Sequence, residues 1–135
     1  MAWAQTQDVD HADLLEEADM IARLWRGAAE AGNADAYQRH ATATVFPSLR
    51  DIPGHCGAFL LKRAAAGRTE FLAVTLWDSI EAVQAFAGAD PDTAVVEPAA
   101  RAVLAEFDDF ARHYEVTFDG FSGPANVSPS RARGA

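Results

Sequence analysis

Residues 56–77 read CGAFLLKRAAAGRTEFLAVTLW. In the second half, Phe71, Ala73, Thr75 and Trp77 alternate with Leu72, Val74 and Leu76. Successive side chains of a strand point to opposite faces, so a period of two predicts a strand over 68–77. Cys56 to Arg63 predicts another, with Phe59 and Leu61 opposite Ala58 and Leu60. Gly67 punctuates the short link, which makes the pair an antiparallel hairpin. Both strands are apolar on both faces. A sheet wetted on one side carries polar residues there. One layer of helices covers only one face, so the other face needs a partner. The simplest partner is a second copy packed sheet against sheet. The alternation therefore predicts a homodimer.

Upstream, Met20 to Gly27 is a short apolar run with Arg23 and Arg26 interleaved, and it predicts a first strand. Asn33 is a candidate helix cap with Asp35 in the first turn. Tyr37, His40, Ala41, Thr44, Val45 and Leu49 then share one helical face, and Pro47 kinks or ends the helix. Pro53-Gly54 is a turn signal. Downstream, Asp78 with Glu81 resembles a capping box. Ile80, Val83, Phe86 and Ala87 form the stripe of that helix, and Gly88 stops it. Asp90-Pro91 opens a further helical turn, Pro98 to Ala105 predicts a short helix, and Phe110 to Phe118 the last strand. The order strand, helix, strand, strand, helix, strand is an α+β, ferredoxin-like β-α-β-β-α-β antiparallel sheet with helices on one face.

The 135 residues are one domain's worth of chain, half of them apolar or aromatic, which suits a packed core rather than disorder. The formal charge of −9 argues against nucleic acid and anionic membrane surfaces. That charge is uneven. Residues 1–19 carry six acids and no Lys or Arg, whereas residues 20–118 carry thirteen acids and nine bases, a net of −4. We read 1–19 as a solvated acidic extension; the alternative is a short helix from Asp10, with Leu14 and Leu15 as its only large anchors. Residues 20–118 form the domain, and the Gly- and Pro-bearing 119–135 a loose tail. The start lacks the basic and apolar regions of a signal peptide, so the chain is expected in the cytoplasm. No apolar run reaches the ~20 residues of a membrane span. One cysteine, Cys56, excludes an internal disulfide. No Gly-rich phosphate loop, no nucleophile elbow and no metal-ligand spacing among His11, His40, His55 and His113 is present, so neither nucleotide cofactor nor metal is expected.

Several residues carry chemistry. Tyr37, His40 and Thr44 put three polar groups on a helix stripe that should face the sheet, where they must meet each other, water or a ligand. A histidine there can take a proton near neutral pH. Arg23, if inside the fold, needs a carboxylate such as Glu70 or Glu115, and serves either an interface salt bridge or an anionic substrate oxygen. His113 and Tyr114 are neighbours on one strand, so only one can face the pocket. Trp25 and Phe46 read as core. Cys56 beside His55 has poor geometry for a nucleophilic dyad.

Particular segments add a resemblance. They are Met20-Ile21-Ala22-Arg23-Leu24-Trp25-Arg26-Gly27, Pro53-Gly54-His55, Thr69-Glu70-Phe71-Leu72 through Leu76-Trp77-Asp78-Ser79, and Ala85-Phe86-Ala87-Gly88. Ala94-Val95-Val96-Glu97-Pro98 and His113-Tyr114-Glu115-Val116 complete them. Over residues 20–118 the chain resembles the antibiotic biosynthesis monooxygenase family of the dimeric α+β barrel superfamily. The resemblance implies a dimer with facing sheets and an apolar pocket between sheet and helices. It also implies oxidation of a phenolic or anthrone-type polyketide by O2 without flavin, heme or metal. Heme is discounted because Ala94 to Ala105, where a heme-degrading branch needs a histidine ligand, has none. A tryptophan at the position of Trp77 is typical of the superfamily and lines the pocket. On this reading His40, Trp77 and Tyr37 are catalytic. Thr44, Arg23, Phe71, Tyr114 and His113 bind substrate. A cyclase or isomerase on the same fold, or a non-catalytic ligand-binding dimer, is the alternative.

Overall fold

A computed structural model describes residues 11–121. The strands are β1 (Ile21–Glu30), β2 (His55–Ala65), β3 (Arg68–Trp77), β4 (Glu106–Phe107) and β5 (Arg112–Glu115). Residues 11–17 form helix α1. Helix α2 starts at Ala34–His40, passes through a π-helical turn at Ala41–Val45 and ends in Phe46–Leu49. Helices α3 (Ile80–Ala87) and α4 (Pro98–Val103) follow. The sheet is antiparallel in the order β2-β3-β1-β4, with β5 also paired to β1. This is the ferredoxin-like α+β arrangement that the strand and helix order predicts.

β3 spans the residues its alternation picks out. The hairpin closes through Ala66 (φ 54°) and Gly67 (φ 81°), two left-handed residues whose twist matches that of the flanking strands. Strands β1 and β2 outrun their sequence signals at both ends or one, whereas β5 is shorter than the predicted 110–118 because Phe110 joins only an isolated bridge to Thr93. Asp90-Pro91 opens a turn rather than a helix, fixed by Asp92 N–H donating to Asp90 Oδ1 at 3.1 Å. Two caps also differ. Ser79, not Asp78, caps α3, its Oγ accepting from Ala82 N–H at 3.1 Å. Asn33 makes no side-chain cap because a 3-10 turn at Ala31–Asn33 leads into α2.

Register fixes the two faces. Ile21, Arg23, Trp25 and Gly27 lie opposite Trp77, Thr75, Ala73 and Phe71, and Arg23 also lies opposite His113. This face meets the helices. The other carries Leu24, Leu72, Val74 and Leu76, and there Phe59 (51%), Leu61 (48%) and Tyr114 (50%) stay exposed. Glu70 on the same face bridges Arg26 and Arg63, at 2.5 and 2.6 Å, and those two cations hold its carboxyl below the usual range.

The core has two clusters. Leu15, Ala18, Ile21, Leu49, Trp77, Ala82 and Val83 form one; Ala29, Tyr37, Ala41, Phe71 and Ala100 form the other. Leu15 and Ala18 correct the reading of residues 1–19 as wholly solvated: α1 lays its one inward leucine on Trp77's cluster, leaving Leu14 exposed. Residues 1–10 and 122–135, the rest of the extension and most of the tail, lie outside the described residues.

Candidate functional site

A cavity of about 80 Å³ lies between the sheet and α2, where the two core clusters leave a gap. β1 and β3 give its floor through Arg23, Trp25, Ala73 and Thr75. α2 gives one wall through Tyr37, His40, Ala41, Val45 and Leu49. Phe86 of α3, Val95, Val96 and Glu97 of the following loop, and Ala100 of α4 close the rest.

The π-helical turn explains which α2 side chains reach it. Tyr37, Ala41, Val45 and Leu49 are spaced by four, which would drift around a regular helix of 3.6 residues per turn. The wider turn at Ala41–Val45 keeps them in line. It also turns Thr44 outward. Thr44 is exposed and does not line the cavity, contrary to its place on the ideal helical stripe.

His40 is on the wall, and its Nε2 is buried with no hydrogen-bond partner among the described residues. Glu97 Oε1 stands 3.3 Å away, within ion-pair reach but outside hydrogen-bond geometry. Tyr37 is 4% exposed and packs on Phe71 with ring centroids 4.7 Å apart. Burial pushes its phenol up to about 12, so it stays protonated at neutral pH. Trp25 is fixed by its indole N–H, which donates to Asp108 O at 2.7 Å.

Arg23 is 4% exposed at the floor. Neither Glu70 nor Glu115 pairs with it, contrary to expectation. Glu70 is on the opposite face, and Arg23 reaches the 90–93 turn instead. Its Nη1 donates to Pro91 O and to His113 Nε2 at 3.0 Å, and its Nη2 to Thr93 O at 2.9 Å. His113 Nδ1 stands 3.1 Å from Asp92 Oδ1. An acceptor Nε2 assigns the ring proton to Nδ1, so a neutral imidazole joins guanidinium to carboxylate. Burial, helped by Arg23, lowers the His113 pKa and keeps that ring neutral. Burial also lowers Arg23, to about 10, which still leaves it cationic at neutral pH.

Four other expected residues do not line the cavity. His113 is buried behind Arg23, on the far side of the guanidinium. Tyr114 takes the exposed face, because the β1–β5 register points its neighbour His113 inward. Phe71 is core beneath Tyr37. Trp77 is fully buried behind the cavity, stacked on Phe86 at 5.6 Å, with its indole N–H donating to Thr75 Oγ1 at 2.9 Å. Its access to the cavity is thus through Phe86 and the Thr75 hydroxyl. Trp25 and Phe46 pack against the core, as read, and also line the cavity, as do Glu97 and Phe86. No sequence signal marks Glu97: it precedes helix-starting Pro98 without a side-chain cap, and only the fold brings it to the cavity. Cys56 is exposed.

Among the described residues no group of three or more His, Cys, Asp or Glu gathers, and no helix is long and apolar enough to cross a membrane. No match was found among curated proteins. Solved structures share the fold. A Bacillus cereus protein described as an antibiotic biosynthesis monooxygenase is 14% identical over 76% of this chain and 98% of its own, with a TM-score of 0.55. A variant of SnoaB, a cofactor-independent oxygenase from Streptomyces nogalater, is 16% identical over 78% of this chain and 100% of its own, with a TM-score of 0.51. The antibiotic biosynthesis monooxygenase family model matches residues 20–98, more than half of the sequence, and the chain belongs to that family.

Proposed function

We propose that this protein is a cofactor-independent monooxygenase that oxidises a phenolic or anthrone-type aromatic with O2. The observation that carries the reading is the His40 Nε2, buried, without a hydrogen bond and on the wall of a largely apolar cavity. Such a nitrogen is free to take a proton from a ligand. Removing a proton from an electron-rich anthrone leaves a carbanion. The carbanion passes one electron to O2, and the resulting radical pair combines to a peroxide that His40 protonates. Loss of water then turns the CH2 into a carbonyl, so one O2 gives one carbonyl and one water. Tyr37, a phenol that stays protonated, would donate to the developing oxyanion. Trp25 and Phe86 supply ring walls, and Glu97, 3.3 Å from His40 Nε2 at the mouth, would stabilise the imidazolium once His40 has taken the proton.

The cavity size sets a condition. At about 80 Å³ it is smaller than the about 150 Å³ that takes a benzene ring. Exposed Val95 and Glu97, on the irregular segment before α4, are the wall that has to yield to a substrate. We extend the reading to a homodimer, supported by Phe59, Leu61 and Tyr114 exposed on one apolar sheet face.

The test is oxygen uptake with a hydroxyanthrone or hydroquinone. Expected is one O2 consumed per product, insensitive to chelators, with a folded His40→Ala variant slower by about 10²–10⁴. Product formed without oxygen uptake would mark an isomerase instead, and an unchanged rate in the variant would remove His40 from the chemistry.

A further inference from the structure

The floor of the cavity holds a cation with donors to spare. Arg23 is buried and lines the cavity, with its guanidinium carbon 5.4 Å from the centre of the Phe86 ring. A guanidinium has five N–H groups. Three are used, on Pro91 O, Thr93 O and His113 Nε2. The other two have no partner among the described residues. All three used partners are uncharged, since His113 is the neutral tautomer. No carboxylate touches Arg23 among the described residues. Asp92, whose side chain is 62% exposed, bonds to the imidazole and not to Arg23, on which it acts only as a charge at a distance. The cavity wall has one other charged group, Glu97, and that side chain is 47% exposed at the mouth.

A buried cation whose counter-charge stands at the surface leaves the interior favourable to an anion. The aliphatic and aromatic lining of the remainder favours a ring. We infer that the deep end of the cavity is a subsite for an ionised oxygen on an aromatic ligand, a carboxylate or a phenolate, received by the two spare donors of Arg23. This deepens the reading above and rests on the cavity being the substrate site. His113 and Asp92 are positioning residues here. His113 holds one edge of the guanidinium, and Asp92 fixes the tautomer that lets it accept. The subsite selects against neutral isosteres, which leave the cation uncompensated, and against amines, which repel it.

The experiment compares matched probes on the full chain, by ¹H–¹⁵N NMR of the Trp25 indole at pH 8. The pairs are benzoate against benzamide and 4-nitrophenolate against 4-nitroanisole. A charge-assisted pair that replaces a neutral one is expected to tighten binding by about tenfold or more. Preference for benzoate alone would identify the carboxylate as the ligand's anionic group, and preference for 4-nitrophenolate alone the phenolate. Either supports the subsite, provided the preference disappears in Arg23→Met. Equal binding of charged and neutral partners would overturn the subsite while leaving the cavity as a binding site. Binding of none of the four overturns both. A preference that survives in folded Arg23→Met also overturns it, because the anion then sits elsewhere. Arg23 pins the 90–93 turn, so that variant can fail to fold. In that case the Arg23 Nε–H resonance of the wild type decides: it should move on adding benzoate and stay still with benzamide, and no movement with benzoate counts against the subsite.

Discussion

Leu15 provides a quantitative check on where the domain begins. It is 6% exposed, in contact with the cluster of Ile21, Leu49, Trp77, Ala82 and Val83, whereas its neighbour Leu14 is 45% exposed. Leu15→Ala removes three carbons from water-excluded space, about 2.4 kcal/mol at ~0.8 kcal/mol per carbon. A residual cavity adds to this, and buried Leu→Ala changes range over about 2–5 kcal/mol. α1 is short and lies at the edge of the described chain, so it can relax into the space, which favours the lower end, about 2–3 kcal/mol. For a domain of this size that is a drop in melting temperature of roughly 6–12 °C. Urea denaturation measures it as a lower midpoint with an unchanged slope. Leu14→Ala is the internal control and should cost under about 1 kcal/mol, in line with other exposed positions. Equal, small effects at the two leucines would refute the packing of α1 and restore the reading of residues 11–19 as solvated extension.

Other predictions follow from single features. Gly54 has φ +94°, and a Cβ there would stand 2.5 Å from both Ala82 Cβ and Asp78 Oδ1, so Gly54→Ala should cost about 2–4 kcal/mol in urea denaturation; a loss under 0.5 kcal/mol would count against this turn geometry. His113 has a folded pKa below its unfolded value of about 6.5, so the unfolded state binds the extra proton first and stability falls as pH drops through that window. His55, lowered by burial, adds to the same slope. His113→Gln should flatten the pH 5–7 stability profile in part, and an unchanged slope would show that His113 is not the group titrating. Leu61→Glu places a charge on the exposed sheet face and should shift sedimentation equilibrium from dimer to monomer, whereas a wild type already monomeric at micromolar concentration refutes the dimer outright.

The parts of the fold that could be read in advance are those where a short-range rule acts alone. Alternation over 68–77 needs no partner to be seen, and β3 has those limits. Gly67 marks the hairpin because two-residue hairpin turns use left-handed backbone, which glycine adopts without strain. Readings that depend on contact between distant segments fared differently. Leu15 is one apolar residue in an acidic stretch, and nothing local separates it from Leu14; the packing of Trp77 does. The Asp78–Glu81 spacing suggested a capping box, but Ser79 stands one residue closer to the first helical turn and takes the cap.

The site follows the same division. That His113 and Tyr114 oppose each other is a property of any strand; that His113 is the inward one is set by its pairing with Arg23 across β1 and β5. The polar row on α2 was visible, yet a π-helical turn has no composition of its own, so the loss of Thr44 from the row could not be. Arg23 is the sharpest case. A sequence reader looks for a carboxylate to pair a buried arginine, because that is the partner a side chain can supply. Here the partners are mostly backbone carbonyls of a turn about seventy residues away, which any sequence could present and none advertises. Using carbonyls and a neutral imidazole leaves the guanidinium with no carboxylate in contact, so Asp92 offsets its charge only from a distance. The feature that defeated prediction is therefore the one that gives the cavity floor its electrostatic character.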